Sequence, residues 1–236
     1  VRCRDRFRDG VLVRNGRATI DKKCEPYEAV LVHVDGSLHV VPAMDSKKVN
    51  NEWTFVPPDP ARASAWRRFE LDSPIEAVVA FDGTHKSNGT THCHRLYLCR
   101  CADGTARLLD DQAGEIQRFE LSGTIVTAMA FGPNVDASKI IKDARLLSKL
   151  DKAGGEFHPL LTYVALGGAD GSIRVYEIGH HLASSSSQKS ELCLSAYWQD
   201  YSLTGAITSI SLFDDGASEG GQPSLLVFAC SRAGGT

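Results

Sequence analysis

Residues 68–81 read RFELDSPIEAVVAF, and residues 118–131 return to the same pattern as RFELSGTIVTAMAF. Seven of the fourteen positions are identical at an offset of 50. A looser third copy, YSLTGAITSISLF, occupies residues 201–213. Each copy is a short strand, a turn of small residues, and an alternating strand ending in Phe81, Phe131 or Phe213. A period of two puts successive side chains on opposite faces of a strand. Self-similarity at a fixed spacing points to a repeat architecture.

A second element also recurs along the chain. VDGSLHVVP starts at Val34, ADGTARLLD at Ala102 and ADGSIRVYE at Ala169. An apolar strand precedes each one: AVLVHV, RLYLCRC and TYVALGG. Asp-Gly is tight-turn chemistry, since glycine adopts positive φ freely and Asp caps the turn. The flanking runs are short and rich in Val, Leu, Ile and Tyr, as strands are. Units of about 40–50 residues with four strands each are the pattern of propeller blades. The expected fold is therefore all-β, a partial β-propeller of four-stranded antiparallel blades with one helical insertion.

The expected organisation is a single segment over residues 1–236, about three to four blades of a longer ring. Residues 30–41 supply the tail of one blade, 68–110 and 118–177 two more, and a fourth starts at Tyr201. Ala233-Gly234-Gly235-Thr236 aligns with the Asp-Gly turn, so the last copy is expected to be cut short. The best copy, GTIVTAMAFGP followed by LLTYVALGGADGSIRVYEI, resembles a WD-type repeat. It lacks the opening Gly-His, and Tyr176-Glu177 stands in place of the closing Trp-Asp, as does Leu109-Asp110 one unit earlier.

Three connections are long. Residues 44–66, with Pro57-Pro58-Asp59-Pro60, read as an irregular excursion; 179–192, with Ser184 to Ser187, read as a polar loop. Residues 134–158 are inserted inside the third blade. Ile140, Ala144, Leu147 and Leu150 fall there at helical spacing, with Lys139, Lys142, Arg145 and Lys149 elsewhere. That predicts an amphipathic helix of about four turns, packed on the rim or binding a partner.

The chain has 236 residues, 42% hydrophobic, with a formal net charge of −3. It can bury a large core. It lacks the basic balance of a nucleic-acid binder, and Arg2, Arg4, Arg6, Arg8 and Arg67-Arg68 read as solvated surface. Seven cysteines without regular spacing, several inside apolar strands, fit reduced thiols in a cytoplasmic setting. No run approaches the roughly 20 apolar residues of a membrane span.

His92-Cys93-His94 followed by Cys99 and Cys101 is the one cluster with metal-ligand chemistry, zinc taking four N or S ligands. In the repeat, however, Cys99 and Cys101 match Leu166 and Gly168, so core packing is the expectation. His180-His181 and the other histidines show no partner carboxylate or cysteine. Gly167-Gly168-Ala169-Asp170-Gly171 precedes a strand, not a phosphate-binding helix. No nucleophile elbow, P-loop or His-Glu-x-x-His occurs. The expectation is a protein that is not an enzyme, with no catalytic residue, cofactor or metal.

Residues 161–230 resemble the kaptin family of divergent propellers. The resemblance is carried by LTYVALGGADGSIRVYEI, Trp198, SLTGAITSISLF and SLLVFAC, and more loosely by IEAVVAFDG with RLYLC and by AVLVHVDGSLHVV. It implies a non-catalytic protein-interaction scaffold that associates with actin filaments and belongs to a KICSTOR-type complex in nutrient sensing by the TOR kinase. A cytoplasmic location, cytoskeletal or peripheral at the lysosome, follows from the same resemblance. It assigns no binding residue in this chain. The alternatives are a generic WD-type scaffold in another complex, or a propeller ligand or metal binder using His92–Cys101.

Overall fold

The computed structural model describes residues 7–14, 27–43, 47–49, 52–54, 67–87, 90–111, 114–132, 135–136, 160–180, 192–200, 203–214 and 225–232. These residues are all-β, and no helix among them is long and apolar enough to cross a membrane. The first strands are β1 (Phe7–Arg14), β2 (Tyr27–His33) and β3 (Leu38–Ala43). A small hairpin, β4 (Lys47–Val49) with β5 (Glu52–Thr54), separates them from β6 (Arg67–Phe69). Strands β1, β2, β3 and β6 form one antiparallel sheet in that order.

A second four-stranded sheet uses β7 (Ile75–Ser87), β8 (Thr90–Cys101), β9 (Ala106–Asp110) and β10 (Gly114–Phe119). The third uses β11 (Val126–Phe131), β13 (Leu160–Gly168), β14 (Ile173–His180) and β15 (Leu192–Asp200), with β12 (Val135–Asp136) added against β13. Strands β16 (Ile207–Asp214) and β17 (Leu225–Ser231) pair as a two-stranded fourth sheet.

This grouping corrects the expected blade boundaries. The RFEL strand does not open its own sheet. Instead β6 closes the first sheet, where Leu38 pairs with Phe69, and β10 closes the second, where Ala106 pairs with Phe119. Residues 70–74 and 120–125 are thus links between sheets. Residues 30–41 are likewise not a lone tail, because β1 and β6 complete their sheet. The 44–66 excursion carries the β4–β5 hairpin, while Pro57 to Pro60 lie outside the described residues. In the 134–158 segment, Val135 and Asp136 are strand, paired with Leu161 and Leu160. The expected helix beyond them lies outside the described residues, as do Ser184 to Ser187, His181 and Ala233 to Thr236.

The offset of 50 fails by one residue partway through the repeat. Phe69 and Phe119 hold equivalent register, but Ile75 pairs with Cys101 while its counterpart facing Gly168 is Val126, not Ile125. The extra residue sits in the 120–125 link, where Gly123 takes φ 79° with open space around it. A one-residue slip sends a side chain to the other face of its strand. Phe81 and Phe131 therefore project from adjacent sheets toward each other, with ring centroids 5.5 Å apart.

Three apolar layers fill the spaces between neighbouring sheets. Val30, Val32, Leu38 and Val40 meet Ile75, Val78, Tyr97 and Cys99 between the first and second. Phe81, Leu96, Leu98 and Leu108 meet Val126, Val164 and Leu166 between the second and third. Tyr163, Ile173 and Val175 meet Ile207, Ile210 and Leu212 between the third and fourth. Full burial of such a side chain contributes about 1.5–3 kcal/mol. Each of the first three sheets is covered on one face by the next, so the second and third carry apolar residues buried on both faces.

Candidate functional site

The recurring Asp-Gly turns build one edge of these sheets. Asp35 Oδ1 accepts hydrogen bonds from the Ser37 amide at 2.9 Å and the Ser37 hydroxyl at 2.6 Å. Asp103 does the same with Thr105 at 3.0 and 2.7 Å, and Asp170 with Ser172 at 3.0 and 2.6 Å. The intervening Gly36, Gly104 and Gly171 have φ of 85, 81 and 87°. Their lack of a side chain lets each turn touch the start of the following sheet. Ile75 N–H donates to Gly36 O at 2.9 Å, and Val126 N–H to Gly104 O at 2.8 Å. A Cβ on Gly171 would lie 1.9 Å from Leu203 O.

A second device recurs at the same edge. The first strands of the four successive sheets, β1, β7, β11 and β16, bulge after their first residue, around Arg8, Glu76, Thr127 and Thr208. Bulges bend a strand and re-aim its side chains. Thr127 Oγ1 thereby donates to Ile207 O of the next sheet at 2.7 Å, and Arg100 Nη1 reaches Thr127 O at 2.8 Å.

Four residues beyond each turn Asp stands a basic residue: His39, Arg107 and Arg174. Arg107 is fully buried. Its guanidinium donates to Asp72, Asp103 and Glu115, and Arg118 Nη2 joins Asp72 Oδ2 at 2.8 Å. Burial alone would pull the Arg107 pKa down, but hydrogen bonds to Asp72, Asp103 and Glu115 push it above its ordinary value. The cation is locked, and the arrangement holds a sheet to its entry link. A second ionic cluster joins the first two sheets. There Arg67 pairs with Asp111 and Glu28, Arg95 pairs with Glu28, and Tyr97 O–H donates to Asp111 at 2.6 Å. Arg67, expected to be solvated surface, is thus part of a seam. Burial, then the Asp111 charge, raises the Tyr97 pKa, so its hydroxyl stays a donor.

The first sheet replaces the arginine with histidine, and its environment differs. His33 Nδ1 lies 2.9 Å from Asp35 Oδ1, and Ser37 Oγ lies 2.9 Å from His39 Nε2. One ligand atom from each of His33, Asp35 and His39 lies within 4.8 Å of the others. Phe7 stands edge-on to both rings, at 5.6 and 6.4 Å between centroids. The Ser37 hydroxyl and amide, then His33, hold the Asp35 carboxyl well below its ordinary range. Burial, then the charges of His33 and Arg68, lowers the His39 pKa against the pull of Asp35 and Glu70. At neutral pH the edge therefore presents a carboxylate and a neutral imidazole.

The sequence singled out other residues. Cys99 and Cys101 are buried in the layer with Val78, Tyr97 and Leu109, as their match to Leu166 and Gly168 predicts. Burial, then the neighbouring Cys101, raises the Cys99 pKa, and burial pushes Cys101 up to about 12. Both thiols therefore stay protonated at neutral pH, as small apolar side chains of the layer. His92, Cys93 and His94 lie on the same strand, β8, with His94 opposite Gly83. At about 3.4 Å per residue, five positions from His94 to Cys99 span about 17 Å. One ion does not bridge that distance. The expectation of histidines without a partner carboxylate fails at His33, Asp35 and His39, and the repeat carries a signal for them. They are what the first sheet carries where the second carries Cys101, Asp103 and Arg107.

The class these features define is an all-β protein of repeated four-stranded antiparallel sheets, sealed by Asp-Gly turns. No protein-family profile matches the chain, and no curated protein matches it either.

Proposed function

We propose that the chain forms part of a β-propeller and serves as a non-catalytic protein-interaction scaffold of the kaptin kind. The observation that carries the propeller reading is a pair of equivalent faces. Phe81, Leu96 and Leu98 of the second sheet are covered by the third and are 8, 0 and 0% exposed. By strand register their counterparts in the fourth sheet are Phe213, Leu226 and Phe228, which are 52, 43 and 60% exposed. A further sheet seated as the third sits on the second would cover them. Repetition of that step around an axis is how propellers avoid open edges.

The scaffold reading rests on where the variation lies. The Asp-Gly turns and strand bulges repeat closely, whereas the connections differ in length and composition, and binding surfaces are disproportionately built on such loops over a rigid frame. Its proposed setting is cytoplasmic, on actin filaments or at the lysosome within a KICSTOR-type assembly. Affinity purification of the tagged protein, with filament co-sedimentation, tests this. Expected are stoichiometric protein partners that are lost when 134–158 and 184–190 are removed. Partners retained after both removals, or no partner and no filament binding, would overturn the reading.

A further inference from the structure

We propose that His33, Asp35 and His39 form a binding site for a divalent cation of borderline softness, with zinc as the preferred ion. The ligand set is His33 Nδ1, Asp35 Oδ1 and His39 Nε2, with solvent in the remaining position. Two imidazoles and one carboxylate suit zinc, whose sites with three protein ligands leave a coordination place open. The three atoms already converge within 4.8 Å, and the side chains of His33 and Asp35 are 23 and 43% exposed, so an ion can enter.

The turn holds these groups in place before any ion arrives. Ser37 N–H and O–H fix Asp35 Oδ1 toward the rings, while Arg68 Nη2 holds Oδ2 at 3.1 Å. Since the Ser37 hydroxyl proton goes to Asp35, the 2.9 Å contact with His39 Nε2 requires a proton on that nitrogen. An incoming ion takes Nε2 in the other neutral tautomer, the ring proton having moved to Nδ1 by exchange with solvent. The equivalent turn in the second sheet has Arg107 in the place of His39, and its carboxylate is neutralised by that cation. The first sheet has exchanged a permanent cation for a ring that offers Nε2 as a ligand once its proton sits on Nδ1. Arg68, which also pairs with Glu70 at 2.7 Å, opposes an ion from outside, and its removal strengthens the site.

The test uses the full 236-residue chain and zinc alone, followed by calorimetry and by long-range proton–nitrogen spectra of the histidine rings. One equivalent is expected to bind, shifting Nδ1 of His33 and Nε2 of His39. His39→Arg installs the residue of the other sheets and is expected to fold. It and His33→Gln should each weaken binding by about 100-fold or more, beyond the loss that follows removal of an outer-shell partner. Arg68→Gln should tighten binding roughly 2- to 5-fold, the worth of an exposed ion pair. Unmoved His33 and His39 nitrogens in the unaltered chain overturn the proposal even if a variant fails to fold. So does zinc uptake that persists in His39→Arg and disappears in Cys93→Ser.

Discussion

Arg107 carries a full charge without solvent contact, held by three carboxylates. Its carboxylate partners keep solvent contact, so truncating Arg107 loses charge-assisted hydrogen bonds rather than stranding buried charges, at a cost of about 1.5–3 kcal/mol. Arg107→Ala is expected to lose that much by urea unfolding at pH 7. Hydrogen bonds from Arg107, then Arg118, lower the Asp72 pKa. Burial raises that of Asp103, but hydrogen bonds from Thr105 and Arg107 outweigh it. Both carboxyls thus sit below their ordinary value of 3.8 in the folded state. They bind fewer protons folded than unfolded, so their stabilisation is complete above about pH 5 and falls away as pH drops through the folded-state values. The difference between Arg107→Ala and the unaltered protein should therefore shrink between pH 7 and pH 3. A difference independent of pH would argue that packing, not charge, is what Arg107 supplies. Asp103 and Arg107 were visible in the sequence as turn and strand residues. Asp72 was not readable as their partner, because the link that delivers it follows a different sheet.

At the scale of the element, the Asp-Gly turn is both a local motif and a joint. Its positive φ is a cost that any non-glycine residue meets, about 1–2 kcal/mol. Gly114 and Gly171 share that conformation, with φ 80 and 87°. Gly114 has open space beside it, whereas Gly171 presses on Leu203 O. Gly114→Ala should therefore lower stability by about 1 kcal/mol, and Gly171→Ala by at least about 3 kcal/mol, since steric strain adds to the backbone term. Equal shifts in the denaturation midpoints would mean that the third sheet is not pressed on the fourth there. The turns were legible because Asp-Gly acts locally. The strand bulges at Glu76 and Thr127 were not, since a bulge is defined by the partner strand it opposes.

The whole molecule repeats one packing step between successive sheets, and equivalent residues diverge only in what covers them. Phe81→Ala opens a cavity in a filled layer and is expected to cost about 3–5 kcal/mol. Phe213→Ala alters an exposed ring in the 236-residue chain and should cost less than about 1 kcal/mol. Chemical denaturation of the two variants side by side checks the pair. The exposed Phe213, Leu226 and Phe228 also form a patch of the kind that promotes association. Replacing Phe213 and Phe228 by Ser should reduce concentration-dependent self-association in analytical ultracentrifugation. Unchanged association would place the sticky surface elsewhere.

The repeat that opens at Arg68 specified strands, Asp-Gly turns and an antiparallel meander, because alternation and turn chemistry act over a few residues. It also returned Cys99 and Cys101 to the core, since the copies align there. Sheet membership lay beyond it: whether RFEL closes one sheet or opens the next depends on which backbone partners it meets. Nor could one offset reveal that Phe81 and Phe131 face each other, because Gly123 shifts the register between them. The meeting of His33, Asp35 and His39 was decided in the same way. A turn brings Asp35 between two strands, and strand pairing carries both imidazoles to it.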